Sequence, residues 1–303
     1  MNVARMSGSL KGHWLGWLGA KAGALVLALT AATFATAQES DAARALNERY
    51  KTLAGELQAS PFGKPLVLTS HESNQGVGGE VFAVVAHPFT AVRTALDGAP
   101  RWCDVLLLHL NTKHCFAAGQ ANNAVLSLHV GKKYDQPLED SFRIDFRYLM
   151  DANKPDYLRA RLEAKEGPFS TRDYSIVVEA TPLDAQRTFL HFSYSYGYGL
   201  TARFALNTYL GTVGASKVGF TRGRNNELVG GVRGLVERNT MRYYLAIEAT
   251  LDTQTTPAET RFDKRLRNWF AASERYGRQL HEINENEYLT MKNKEYRRVQ
   301  TQG

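Results

Sequence analysis

Two cysteines and eight histidines are the groups through which this 303-residue chain could do nucleophilic or acid–base chemistry. Both cysteines, Cys103 and Cys115, lie in one stretch, near His87, His109 and His114. A thiolate beside an imidazole would make a nucleophile and its base. The same two cysteines could instead form a disulfide in an oxidising compartment, or stay as buried thiols acting as small apolar side chains. Spacing alone does not establish the geometry a disulfide needs. No paired CxxC or HxxxH accompanies His109, His114 and Cys115, so neither a metal nor a cofactor is expected. His281-Glu282-Ile283-Asn284-Glu285 resembles HExxH, but glutamate stands where the second histidine ligand must be. GxSxG and the phosphate-loop pattern are missing. His87 and His191 are the imidazoles that could enter a cavity; a histidine in a strand otherwise serves structure.

The other chemically distinctive stretch is Thr188 to Leu200, TFLHFSYSYGYGL. Strand alternation sends Leu190, Phe192, Tyr194, Tyr196 and Tyr198 to one face, and His191, Ser193, Ser195, Gly197 and Gly199 to the other. The aromatic face either packs on a helix as core or walls a cavity, where phenolic hydroxyls would orient a ligand. Phe192, Tyr194, Tyr196 and Tyr198 are therefore candidate ligand-binding residues, together with His87 and, from the helix that would face this strand, Tyr243.

These groups need elements to position them. Gly79 to Cys115 reads as a strand over Glu80–Ala86, broken by His87-Pro88, because proline donates no ladder hydrogen bond. Phe89, Val92 and Leu96 recur at helical spacing, and Gly98-Ala99-Pro100 ends that helix. A second helical piece, Trp102–Leu110, leads into a strand at Lys113–Ala117. Strands then follow one another: Ala124–Val130; Phe142, Ile144, Phe146 and Tyr148 alternating with charged residues; Leu158 to Ala164; and Tyr174 to Ala180. One face buried and one solvated is the pattern of an antiparallel meander. The arginine-rich solvent face implies cross-strand ion pairs, the alternative being an anion-binding surface. Ala202–Leu210 reads as a short helix and Gly211–Asn226 as a basic, glycine-rich connection. Val229–Leu251 is the long helix, with Val232, Leu235, Val236, Tyr243, Ile247 and Leu251 along one side and Arg233, Glu237, Arg238 and Arg242 facing away or reaching along the edge. Glu259–Lys294 gives one or two further helices, interrupted near Gly277, and the tail docks through Tyr288 and Met291 or frays. Upstream, Ser40 caps a helix reaching Leu57, and Pro65–Ser70 is a short strand.

Strand, helix, helix, strands and a long final helix is an order that resembles the START/polyketide-cyclase-like (SRPBCC, helix-grip) superfamily. The resemblance implies an α+β fold over residues 79–252, a curved antiparallel sheet wrapped around a long C-terminal helix with an apolar cavity between them. GEVFAVVAHPF, RWCDVLLLHLNTKHC and EYLTMKNKEYRR resemble a group of exported proteins of Gram-negative bacteria. Residues 38–78 would then be an N-terminal helix and strand appendage, and 253–303 a C-terminal helical extension.

Residues 1–37 carry Arg5, Lys11 and Lys21, no acid, an apolar run Ala22–Phe34, and the small-x-small site Ala35-Thr36-Ala37. This reads as a signal peptide, with the periplasm as destination and no stable membrane span after cleavage; an uncleaved anchor is the alternative. Its loss takes the formal charge from +7 to +4, and a nucleic-acid partner is not expected. Together these readings point to a periplasmic binder of an apolar or amphipathic, lipid-like small molecule. The alternatives are a cyclase- or hydrolase-type enzyme using pocket His and Tyr groups, and an envelope interaction module presenting its C-terminal helices.

Overall fold

The computed structural model describes residues 40–120, 123–199 and 216–302. The expected signal peptide, residues 1–37, and the helix expected at Ala202–Leu210 lie outside them.

The fold is α+β. Eight strands form one antiparallel sheet: β1 (Leu66–Glu72), β2 (Gly76–Val85), β3 (Thr112–Ala118), β4 (Val125–Val130), β5 (Phe142–Asn153), β6 (Leu158–Glu166), β7 (Thr171–Pro182) and β8 (Thr188–Tyr198). Their spatial order is β1-β2-β8-β7-β6-β5-β4-β3, so the meander closes by pairing β8 with β2. The sheet is curved and open, with β1 and β3 at its edges. Strand alternation holds throughout: Leu158, Ala160, Leu162 and Ala164 on β6 are buried, and so are Ile176, Val178 and Ala180 on β7.

Between β2 and β3 the chain makes two short helices, α2 (Phe89–Leu96) and α3 (Ala99–Leu106). The second begins earlier than the sequence suggested and ends at Leu106 instead of Leu110. Gly98 has φ +97°, a conformation that costs glycine little, and this turns the chain between the helices. Ala99-Pro100 then opens α3, where a missing N–H is harmless. The Gly98 N–H donates to the Tyr148 hydroxyl at 2.9 Å, which ties the turn to β5. Cys103 on α3 and Cys115 on β3 are joined as a disulfide, with Cα atoms 5.3 Å apart.

The long helix α4 (Gly231–Leu251) lies on the inner face of the sheet and packs on β1, β2 and β8. Its other flank is covered by α5 (Ala258–Glu274), the short α6 (Gly277–Leu280) and the segment that follows α6. Trp269 of α5 donates its indole N–H to the Arg242 carbonyl at 3.0 Å. The last helix, α7 (Glu285–Gln302), packs on α5 and on edge strand β3. It docks through Tyr288 and Met291, both buried, and the Tyr288 hydroxyl donates to the Leu108 carbonyl at 2.9 Å. Among the described residues no helix is long and apolar enough to cross a membrane.

This second layer corrects the expectation that Glu237, Arg238 and Arg242 face away or reach along the edge of the helix. All three are buried. Arg242 donates to the Leu280 carbonyl and, at 2.8 Å, to the Glu282 carboxylate. Glu237 accepts the N–H groups of Phe220 and Thr221 and the hydroxyls of Ser70 and Thr221. The carboxylate thus holds the connection before α4 against β1. A helix covered on both sides can bury charge only where each charge finds partners.

The N-terminal segment enters the sheet itself. β1 is an edge strand, and α1 (Asp41–Gln58) crosses the outer face, capped by the Ser40 hydroxyl. Ala43, Leu46, Leu53 and Leu57 of α1 bury Val67, Phe82, Tyr157 and Phe189 in a second, smaller apolar cluster.

Candidate functional site

The aromatic face of β8 does turn inward. Leu190, Phe192, Tyr194, Tyr196 and Tyr198 are all buried, while His191, Ser193 and Ser195 are only partly so. Opposite them α4 brings Tyr243, whose ring centroid lies 5.3 Å from that of Tyr194, edge-on, and 6.2 Å from Phe192. Tyr174 of β7 completes the group: its ring stacks on Tyr196 at 5.4 Å and lies 6.5 Å from Tyr194. A register shift between Arg172 and Ser175 places it there, with Asp173 at φ +52°.

Burial divides these side chains into two sets. Phe192 and Tyr198 keep 1% of their surface each, whereas Tyr174, Tyr194, Tyr196 and Tyr243 keep 6–9% although they lie deep between sheet and helix. Residual surface at such depth marks space against those four rings. Tyr198 is held by the Ser73 carbonyl, to which its hydroxyl donates at 3.2 Å. The Tyr174 hydroxyl shares a hydrogen bond with Thr171 at 2.8 Å. Among the described residues the hydroxyls of Tyr194, Tyr196 and Tyr243 have no such partner. Burial raises the pKa of all four phenols, and that of Tyr194 well above its ordinary value. They therefore stay neutral, as hydrogen-bond donors and acceptors and not as phenolate bases.

His109 and Tyr174 were not among the ligand-binding candidates read from the sequence. His109 stacks on Tyr243 at 4.6 Å. Its Nδ1 accepts the Asn111 N–H at 3.1 Å, and burial, then Arg242 and Lys292, holds its pKa well below the ordinary value. Strand alternation already turned Tyr174 inward, but its place between Tyr194 and Tyr196 depends on the bulge.

His87 is not brought to this cluster. It lies beyond Val85, at the end of β2 opposite the one that pairs with Tyr196, and its Nε2 meets the Asp252 carboxylate at 2.8 Å. His191 is also elsewhere, on the outer face beneath α1. It stacks on Phe82 at 4.3 Å, with Nδ1 2.8 Å from Glu179 and Nε2 3.5 Å from Glu80. The first contact is a hydrogen bond; the second is an ion-pair distance only. Tyr157 donates its hydroxyl to Glu179, and Arg159 bonds the same carboxylate at 2.7 Å. The arginine-rich outer face forms cross-strand pairs, among them Arg147 with Glu163 at 3.0 Å and Arg161 with Asp151. With both cysteines in the disulfide, neither is a thiolate nucleophile in this state.

No family model and no curated protein matches the chain. Solved structures similar to it include norcoclaurine synthase from Thalictrum flavum, at 11% identity over 50% of this chain and 81% of that one, TM-score 0.32. The Zhui aromatase/cyclase from Streptomyces sp. R1128 is 14% identical over 68% of this chain and 94% of its own, TM-score 0.31. Ara h 8.0201 is 9% identical over 62% and 99%, TM-score 0.35. Similarity this low carries no argument about activity. The class assignment, an α+β helix-grip chain with a second helical layer over the gripped helix, rests on the strand order and helix placement described above.

Proposed function

We propose that this chain holds an amphipathic, lipid-like small molecule between the inner face of its sheet and α4. The observation that carries the reading is the trio of phenolic hydroxyls on Tyr194, Tyr196 and Tyr243. They lie deep in the protein beside residual space, without protein partners among the described residues. A buried hydroxyl left unpaired costs about 1–3 kcal/mol. A ligand whose polar end meets them recovers that loss, and its hydrocarbon part gains about 0.8 kcal/mol per buried methylene against the aromatic walls. Neutral phenols suit positioning better than proton abstraction, which favours a binder over a cyclase- or hydrolase-type enzyme. The basic leader, apolar run and Ala35-Thr36-Ala37 support a periplasmic setting for this binder.

Native mass spectrometry of the protein recovered from its own cell envelope tests both parts. The expected species begins at Gln38 and carries an extra mass that organic extraction releases. Tyr196→Phe is expected to keep the melting temperature but change the affinity for a fluorescent fatty-acid analogue. Tyr196→Ala should lose both affinity and about 3 kcal/mol of stability. Unchanged binding in both variants would make this strand core and remove the reading.

A further inference from the structure

Helix α7 brings a cation to the outer side of the β3–β4 edge. Met291, Lys292 and Glu295 dock on β3 through Lys113 and Thr112, and the same helical face, one turn further on, carries Arg298. Arg298 lines an open cleft of about 540 Å³ with His129 of β4 and with Pro137, Leu138 and Glu139. The loop that makes this wall is well tied. Gln136 is buried and accepts the Lys132 N–H at 2.6 Å, and residues Leu138–Asp140 form a turn of 3₁₀ helix. His114, the cross-strand partner of His129, sits behind it with the two rings edge-on at 5.7 Å.

Among the described residues, three nitrogens here lack protein partners. Arg298 Nη1 is buried without a hydrogen bond. His114 is more than nine-tenths buried, at 8% exposure, and its Nε2 likewise has none. For His129 the tautomer follows from its neighbour. The Ser141 hydroxyl has one proton and gives it to the Leu138 carbonyl, so it must accept from His129 Nδ1–H, 3.1 Å away. The free nitrogen of His129 is therefore Nε2. No ion pair joins Arg298 to Glu139 among the described residues, although both line the cleft.

We propose that this cleft is a second binding site, separate from the tyrosine-lined space, for a small organic monocarboxylate with an apolar body. The guanidinium is suited to hydrogen-bonding a carboxylate in fork geometry, and His129 Nε2, which lines the cleft beside it, becomes a second donor once it is protonated. Pro137 and Leu138 take the hydrocarbon part. Glu139 sets the charge limit: its carboxylate repels a dianion more than a monoanion, so inorganic phosphate is disfavoured above neutral pH, where it is mostly the dianion. Proton uptake accompanies binding. In the free protein burial, then His129 and Arg298, lowers the pKa of His114; burial and Arg143 lower that of His129, against Asp145. A bound carboxylate reverses part of this, so affinity rises as pH falls.

The test is imidazole NMR of the full mature chain titrated with sodium benzoate, with sodium phosphate as the second arm. Saturable shifts of His114 and His129 are expected, with affinity rising severalfold from about pH 7.5 to about pH 5.5. Arg298→Gln should weaken benzoate about tenfold. Tyr196→Phe should leave it unchanged, which separates this site from the one proposed above. Glu139→Gln, at an exposed position that threatens folding less, should let phosphate compete severalfold better. No saturable benzoate shift, equal affinity in Arg298→Gln that melts normally, or phosphate binding as tightly as benzoate to the unaltered protein at about pH 7.5 would each overturn the proposal.

Discussion

Among single residues, Glu179 and His191 carry the clearest electrostatic consequence. Burial alone would raise the Glu179 pKa, but hydrogen bonds from His191 and Tyr157, with Arg159 beside them, hold it down at about 2. Burial likewise works against a charged His191, yet its contacts with Glu179 and Glu80 prevail and raise its pKa above 6.5. The signs define a window. Stability from Glu179 is present above its ordinary pKa of 4.5 and fades as pH falls toward 2. Stability from His191 is full below 6.5 and fades as pH rises through its raised value. Urea unfolding of the wild type and Glu179→Gln across pH should therefore show the largest gap between 4.5 and 6.5, on the order of 2 kcal/mol. Comparing the two proteins at each pH cancels the titration of distant groups such as His109. Strand alternation read from the sequence put His191 opposite the tyrosines; the two carboxylates around it come from β2 and β7, which no local pattern joins.

At the scale of elements, the seat of α4 on the sheet depends on one glycine. A Cβ on Gly79 would come 2.4 Å from Thr240 Oγ1 and 3.2 Å from Thr240 Cβ. Thr240 is fully buried, and its hydroxyl donates to the Val236 carbonyl at 2.8 Å, so it cannot simply turn aside. Gly79→Ala should therefore push helix from strand and lower stability by about 1–3 kcal/mol in thermal or denaturant unfolding. Gly55, in the interior of α1 with nothing within 4 Å of a built Cβ, is the control. Gly55→Ala should stabilise by about 0.4–1 kcal/mol, because alanine restricts the unfolded chain. The extent of α4 was legible within two residues from apolar spacing and turn signals. Its buried charges were not, because α5, α6 and the segment after them supply the second cover through contacts distant in sequence.

The whole molecule is closed by α7, and that closure places charge in the interior. Lys113 of β3 and Lys292 of α7 have almost no exposed surface and share Glu295, with Lys113 at 3.2 Å. Backbone carbonyls complete the set: Lys113 also donates to Leu110 and Tyr134, and Lys292 to His109 and Thr112. Burial, opposed by Glu295, lowers Lys292 to about 8. Glu295→Gln leaves two buried ammonium groups without their carboxylate and should cost about 3–5 kcal/mol near neutral pH. Because folded Lys292 gives up its proton near 8 and the unfolded chain keeps it to 10.5, this group's contribution to stability rises with pH between those values. The penalty of Glu295→Gln should shrink as pH rises toward 8, because the variant, without the carboxylate, gives up this proton at lower pH than the wild type does; melting curves of both proteins will register it.

Local physics explains what could be read from the sequence alone. Period-two alternation identified the inward tyrosines of β8 and the antiparallel meander, period-three-to-four spacing identified the helices, and Ser40 and Gly98-Ala99-Pro100 marked their ends. Each signal resides within a few residues, where backbone geometry dictates which side chains share a face. Tertiary structure decided the rest. Cys103 and Cys115 became a disulfide because α3 turns back onto β3, bringing their Cα atoms to 5.3 Å. His87 and His191 left the candidate site because strand position and strand face sent them to a far end and an outer surface. Tyr174 and His109 joined it through a register shift and a turn, and Glu237, Arg238 and Arg242 were enclosed by helices packed from the other side. Each of these depends on which distant segments meet, and partners, not residue type, determine whether a charge or hydroxyl can be buried.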